Sequence, residues 1–230
     1  EFTINQPEIL DVSVVIIDVS CNGLSDGSAE LTISGGEEPY TIIGDTGNLS
    51  AGFYNVSVVD NNNCETNIEF TIDQPEILEL AVATIDASCN GGSDGIANFT
   101  VTGGIPPYEF ISGYDVDENG ILNNLSSGIY YVDVVDNNNC VTGIEFTIDQ
   151  PEILDVFVTT TDVSCNGDSD GFADLTITGG VEPYTIIGDT DNLFAGVYTI
   201  SVVDNNNCET NIEFTINQPE ILDVSVVIID

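Results

Sequence analysis

The phrase Glu-Phe-Thr-Ile-(Asn/Asp)-Gln-Pro-Glu-Ile-Leu occurs four times in this chain, beginning at Glu1, Glu69, Glu145 and Glu213, at steps of 68, 76 and 68 residues. Self-similarity at a fixed period means repeated structural units and constrains the fold more than any local signal. Other phrases keep the same phase. Ser-Cys-Asn-Gly falls at Ser20, Ser88 and Ser164, and Ser-Asp-Gly at Ser25, Ser93 and Ser169. Pro-Tyr falls at Pro39, Pro107 and Pro183, each time shortly after Gly-Gly, and Val-Val-Asp-Asn-Asn-Asn-Cys precedes each return of the opening phrase. Extra residues around GYDVDENGILNN account for the longer middle step. The phasing predicts three units, 7–74, 75–150 (with a loop insert near 113–124) and 151–218. The flanks, 1–6 and 219–230, read as the last strand of a preceding repeat and the first strand of a following one, a window on a longer tandem array.

Within a unit the apolar residues alternate. Leu10, Val12 and Val14 share one face, as do Ala29, Leu31 and Ile33, then Tyr54, Val56 and Val58, then Ile68, Phe70 and Ile72. Period-2 runs bounded by Gly, Asn, Asp and Pro are strand signals, and nothing shows a helical period. The Asp-Asn-Asn-Asn stretch before Cys64 reads as a hairpin loop, because Asn and Asp tolerate positive φ. Short strands about ten residues apart predict an all-β chain of β-sandwich domains. Joints of two residues, Gln-Pro, predict that the domains stack end to end as a rod.

Forty acids and not one Lys, Arg or His give a net charge of −40. Disorder is the usual outcome of such charge, but 42% of the residues are hydrophobic and they are periodic. The surface must therefore be anionic throughout, with no salt bridge between side chains. Nucleic acid and anionic membranes are excluded as partners, since nothing here neutralises a phosphate. No apolar run approaches the ~18 residues of a membrane span. Catalysis lacks its usual bases and nucleophiles, and a chance carboxylate pair in a tandem array is no active site. The chain reads as a non-enzyme that requires no cofactor.

The six cysteines come two per unit, Cys21 and Cys64, Cys89 and Cys140, Cys165 and Cys208. Such phasing predicts a disulfide framework in an oxidising compartment. Zinc is disfavoured, for want of histidine and of any Cys-x-x-Cys pair. The expected pairing lies within each unit, Cys21–Cys64, Cys89–Cys140 and Cys165–Cys208. It requires the chain to reverse between Val14 and Cys21. Without that reversal Cys21 lies at the far pole, and the alternative is an inter-unit clasp, Cys21–Cys140.

Asp115, Asp117 and Asn119 alternate before Gly120, as at the opening of an EF-hand-type calcium loop. The twelfth position, Ser126, lacks the bidentate Glu, so a polar loop competes with a Ca²⁺ site here. Asp189 and Asp191 form a weaker candidate, and Asp26, Asp94 and Asp170 read as turn residues. Divalent cations are in any case the natural counter-charge for this surface.

Taken together, C-N-G-x-S-D-G, G-G-x-x-P-Y, N-L-S-A-G-x-Y, V-V-D-N-N-N-C and Q-P resemble the SprB-type repeat across all three units. The resemblance implies an immunoglobulin-like fold, export by the type IX route and a place in very large surface adhesins of gliding Bacteroidetes. Where relatives often carry an aromatic residue after Pro-Tyr, this chain has Ile42 and Ile43, which predicts a more aliphatic core. The expected role is a structural stalk or filament segment at the cell surface, serving attachment or gliding. Its partners would be neighbouring repeats, other copies in a filament, and a surface polysaccharide or substratum. The alternative is a carbohydrate- or surface-binding module in which the repeats themselves bind.

Overall fold

The computed structural model describes residues 2, 4 and 6–227. Every regular element among them is a strand. The first repeat contains β1 (Asp11–Ile17), β2 (Gly27–Ser34), β3 (Thr41–Ile43), β4 (Gly47–Leu49), β5 (Gly52–Val59) and β6 (Glu65–Ile72). One antiparallel sheet has the order β1-β2-β4 and the other β3-β5-β6. The second repeat contains β7 (Glu79–Ile85), β8 (Gly95–Thr102), β9 (Glu109–Ile111), β10 (Ile121–Leu125), β11 (Gly128–Val135) and β12 (Val141–Ile148), with sheets β7-β8-β10 and β9-β11-β12. The third contains β13 (Asp155–Thr161), β14 (Phe172–Thr178), β15 (Thr185–Ile187), β16 (Gly196–Val203) and β17 (Glu209–Ile216). There the counterpart of β4 shrinks to a single bridge between Gly171 and Leu193.

First, second and fourth strands on one sheet, third, fifth and sixth on the other, is the A-B-E and C-F-G arrangement of an immunoglobulin sandwich without its D strand. A second hallmark agrees. Tyr54, near the start of β5, donates its hydroxyl to the Ser50 carbonyl at 2.9 Å. Tyr130 does the same to Ser126 at 2.8 Å and Tyr198 to Phe194 at 3.0 Å. This is the tyrosine corner at the E–F turn of such folds. The three rings also stack on Phe70, Phe146 and Phe214.

The alternation read from the sequence sets the core. In the first repeat Val19, Ala29 and Leu49 from one sheet and its loops pack against Val56, Phe70 and Ile72 of the other, while Glu69 and Thr71 face out. Ile42 and Ile43 do not join this core. They lie on the short edge strand β3 and are exposed, Ile43 to 57%. In the first repeat they therefore do not make the core more aliphatic, contrary to the expectation, while in the second Phe110 holds the place of Ile42 and packs on buried Phe99 with ring centroids 5.6 Å apart.

By Cα packing the chain divides into two compact units. One comprises 1–82, 99–120 and 131–145, and the other 83–98, 121–130 and 146–230. The first contains the whole first repeat and the second the whole third repeat; the second repeat contributes to both. In the first unit the core is the cluster just described. In the second, Leu154, Val156, Val163, Ala173 and Leu193 face Ile200, Val202, Phe214 and Ile216. The strands expected at the two ends fall partly outside the described residues. The described parts, residues 2, 4 and 6 and 219–227, carry no strand assignment and are exposed.

Each Gly-Gly turn is forced by close approach. Gly35 has φ +68°, and a Cβ there would collide with the Ile9 carbonyl oxygen. Gly103 and Gly179 stand in the same relation to Ile77 and Ile153. The tyrosine of each Pro-Tyr pair then locks the turn. Tyr40, Tyr108 and Tyr184 donate to the carbonyls of Gly35, Gly103 and Gly179, each at 2.6 Å.

Candidate functional site

Two conserved-in-phase loops meet at each junction, and each is built by an aspartate that collects backbone donors. The first is the Ser-Cys-Asn-Gly loop after β1, β7 and β13. Asp26 accepts the Ser20 amide at 3.0 Å and the Ser20 hydroxyl at 2.5 Å. Asp94 accepts the Ser88 amide and Asp170 the Ser164 amide, both at 2.9 Å. These are the turn aspartates the sequence suggests. Their serine hydroxyl bonds, then the serine amide bonds, hold all three carboxyls below the usual range.

The same loop clamps the Gln-Pro joint. Asn22 Nδ2 donates to the Pro75 carbonyl at 2.9 Å and the Gly23 amide to Gln74 Oε1 at 3.0 Å. Asn90 and Gly91 bind Pro151 and Gln150 likewise, at 2.9 and 2.7 Å. Asn166 and Gly167 bind Pro219 and Gln218 at 3.0 and 3.1 Å. The joint therefore leaves each repeat at a defined place beside the cysteine loop.

The second loop is Asp-Asn-Asn-Asn-Cys. Asp60, Asp136 and Asp204 are each only 4% exposed, although the chain has no cationic side chain to pair with them. A buried carboxylate can be kept charged by hydrogen bonds instead. Asp60 Oδ1 accepts the Asn62 and Cys64 amides, both at 2.8 Å, and Oδ2 accepts the Glu37 amide at 3.1 Å. Asp136 receives Asn138, Cys140 and Ile105, and Asp204 receives Asn206, Cys208 and Val181, all at 2.8–2.9 Å. The Cys64 amide is the main cause of a lowered Asp60 value. At Asp136 burial pushes upward, and the Ile105, Cys140 and Asn138 amides together outweigh it.

These shifts give a pH prediction. A carboxyl with a lowered folded value contributes stability that is complete above the unfolded value, about 3.9, and lost as pH falls through the folded value. Asp26, Asp60, Asp94, Asp136 and Asp170 all have that sign. The urea midpoint is expected to fall below about pH 4, and Asp60→Asn to shrink the fall. A midpoint that climbs steadily down to pH 2, as relief of charge repulsion alone requires, would contradict it.

The two kinds of loop are joined covalently. Cys21 is bonded to Cys140 and Cys89 to Cys208, each with a Cα–Cα distance of 5.7 Å across 119 residues of sequence. Beside the first bridge Asn138 Nδ2 donates to the Ser20 carbonyl at 2.9 Å, and beside the second Asn206 Nδ2 donates to Ser88 at 2.8 Å. Cys140 and Cys208 Sγ lie 3.4 Å from those same two carbonyl oxygens. The bridged sulfurs carry no hydrogen, so these are packing contacts. Cys64 and Cys165 are free and exposed.

The expected pairing within a unit is thus corrected: Cys21–Cys64, Cys89–Cys140 and Cys165–Cys208 do not form. The stretch Val14–Ile17, which would have had to reverse, continues β1 in register with Leu31–Ser28 of β2. The chain turns only after Asp18, at the pole where the Val19 amide meets the Asp73 carbonyl. Cys64 lies at the other pole, where the Asn61 amide meets the Glu37 carbonyl. The eight residues of β6 run between the two poles. At ~3.3 Å per residue that is about 25 Å, far beyond disulfide reach.

The calcium candidate is a closed turn. Asp117 Oδ1 accepts the Asn119 amide of its own loop at 2.9 Å, and the Gly120 amide bonds the Asp117 carbonyl at 3.0 Å. Asp115 and Asn119 are exposed, as are Asp189 and Asp191. Among the described residues no group of three or more cysteine or acidic side chains is placed to hold a metal ion.

Against known families, the SprB repeat matches residues 13–43, 81–113 and 158–187, once in each unit at the same phase. Three segments of the chain are thus similar to the SprB repeat. Each match runs from the first strand to the strand after Pro-Tyr, and so spans the Ser-Cys-Asn-Gly loop, the Ser-Asp-Gly turn and the Gly-Gly turn of its repeat. No curated protein matches the chain. Among solved structures, the N-terminal eight Ig domains of Down Syndrome Cell Adhesion Molecule isoform 1.30.30 align with 92% of this chain at 8% identity and a TM-score of 0.41. The chain spans 43% of that structure's length. The immunoglobulin-like assignment of the three repeats rests on their strand order and tyrosine corners.

Proposed function

We propose that these SprB repeats form a load-bearing structural segment, the stalk or filament of a long cell-surface adhesin that serves attachment or gliding. The observation that carries this reading is the pair of interleaved bridges, each tying a loop of one repeat to a hairpin of the next. A module that only bound a ligand would gain nothing from covalent ties between repeats. A tether under tension gains resistance to extension. SprB repeats and immunoglobulin-like sandwiches are non-enzymatic kinds of domain, and the reading assigns no catalytic role. The six tyrosines that recur in phase are engaged in turns and corners, and only Tyr114 and Tyr131 of the middle repeat are exposed outside them.

The partners in this reading are neighbouring repeats, further copies in a filament, and a substratum or surface polysaccharide reached by other parts of the adhesin. Antibodies against these repeats should label intact, unpermeabilised cells of the source organism, and external protease should remove the label. Label that appears only after permeabilisation would sink the surface assignment.

Calcium enters this reading as diffuse counter-charge. Exposed like charges are screened over about 8 Å at physiological ionic strength. Millimolar calcium and sodium chloride of matched ionic strength are therefore expected to give the same melting midpoint. A higher midpoint in calcium that Asp117→Asn removes would restore a specific site in the middle loop.

A further inference from the structure

The outer face of the β9-β11-β12 sheet, in the middle repeat, differs from its counterparts at several matched positions together. Where it has Tyr131 and Asp133 on β11 and Gly143 on β12, the first repeat has Asn55, Ser57 and Asn67, and the third has Thr199, Ser201 and Asn211. On those two faces the polar side chains bond one another. Asn55 donates to Glu69 at 3.2 Å, Ser57 to Asn67, and Ser201 to Glu209 at 2.6 Å. On the middle face Tyr131 donates its hydroxyl to Asp133, and the pair lies over Gly143, where a Cβ would strike both the hydroxyl and Asp133 Oδ1. That bond, and then the charge of Asp133, hold the phenol above its usual range. The ring is thus fixed at its tip and still 55% exposed.

An aromatic side chain laid across a strand glycine can serve the sheet alone, by covering bare backbone. The surrounding changes go further than that. Asp133 spends one acceptor position on Tyr131, and a carboxylate has about four. Glu109 stands where the other repeats have Thr41 and Thr185, and Val141 where they have Glu65 and Glu209. Ile111, opposite Asp133 on β9, and Val141 are both more than half exposed. The face therefore combines an open aromatic ring, aliphatic surface and the carboxylates of Glu109, Asp133 and Glu145.

We infer that this face of the middle repeat docks a basic polypeptide segment, with an arginine side chain of the partner stacked on the Tyr131 ring and paired with Asp133. A guanidinium is planar and weakly hydrated, and it both stacks on aromatic faces and forks onto carboxylates. Its methylene stem is suited to aliphatic neighbours such as Ile111 and Val141. Charge decides the occupant. With forty acids and no cationic side chain, neither this chain nor a second copy of it can supply the guanidinium. The same field repels anionic ligands and steers cationic ones inward. A neutral sugar would stack on the ring but leave the three carboxylates without a counter-charge. The inference does not depend on the load-bearing reading, since it concerns one face of one repeat.

The test uses the 230-residue chain, labelled with ¹⁵N and titrated at physiological ionic strength with a short peptide of alternating glycine and arginine. A second titration uses the same peptide with citrulline, the neutral isostere, in place of arginine. The arginine peptide should shift the amides around Asp133 and Gly143, and the citrulline peptide should not. Tyr131→Ala should weaken binding about two- to fivefold, the value of an exposed cation–π contact. Asp133→Asn should cost a similar factor, as an exposed ion pair does. Glu69→Gln removes a charge from the matching face of the first repeat and should leave the affinity unchanged. Gly143→Asn installs the residue that both other repeats carry there, so the fold is expected to keep its urea midpoint while the Tyr131–Asp133 pair is displaced and binding weakens. The inference is overturned by equal shifts on all three repeats, by equal binding of the citrulline peptide, by shifts with cellohexaose and none with the arginine peptide, or by wild-type affinity in Gly143→Asn.

Discussion

Pulled from its two ends until every sheet has come apart, the oxidised chain should stop far short of its reduced length. The bridges Cys21–Cys140 and Cys89–Cys208 overlap in sequence. Force entering at Cys21 crosses to Cys140, runs back along the backbone to Cys89 and crosses to Cys208. Between Cys21 and Cys208 only that middle stretch can extend, on the order of 180 Å at 3.3–3.6 Å per residue. Reduction frees the whole stretch and should raise the limit to on the order of 650 Å. Single-molecule extension with and without a reductant reads the difference directly. Cys64→Ser tests the pairing itself. With Cys64 free, the variant extends like wild type. Bridges within each repeat would instead add about 150 Å on removal of Cys64, and such a gain would defeat both the pairing and the mechanical reading built on it.

How much of this was legible in the residues follows from how local each cause is. Alternation along Tyr54–Val58 and Ile68–Ile72 fixes which side chains face the core, because a strand places every second residue on one face. Asn63, Asn139 and Asn207 adopt positive φ at the hairpins their sequence announces. The Ser-Asp-Gly aspartates cap their own loops six residues away. The pairing of the cysteines was not local. It depended on whether four residues, Val14–Ile17, extended a strand or turned, and β-branched residues there extend it. Nor was the burial of Asp60, Asp136 and Asp204 visible. The repeated Asp-Asn-Asn-Asn-Cys marks a turn, but only the folded hairpin shows three amides converging on one carboxylate. The calcium candidate shows a different limit of spacing. Asp117 and Asn119 have the spacing of ligands, and the same spacing lets an aspartate bond the amide two residues on.

Removing the first bridge should cost far more than removing a free thiol. Closing a loop of 119 residues lowers unfolded-state entropy by an amount worth about 5 kcal/mol in the chain-entropy model. The two loops share the stretch from Cys89 to Cys140, so the unfolded chain is already constrained when one bridge remains. The double variant Cys21→Ser/Cys140→Ser should therefore lose less than the full amount, about 2–4 kcal/mol. That is a large share of the 5–15 kcal/mol typical of folded domains. Cys64→Ser, at an exposed free thiol, should stay within about 0.5 kcal/mol of wild type. Urea midpoints of the three proteins under non-oxidising, non-reducing conditions separate the cases, and full reduction should bring wild type below the double variant, since both bridges are then gone. The Asn138–Ser20 hydrogen bond and the packing around it survive the double substitution, so a small residual coupling between the two loops is expected. If the double variant and Cys64→Ser unfold at the same urea concentration, the clasp holds the repeats together without stabilising them, and its function would have to be sought in tension alone.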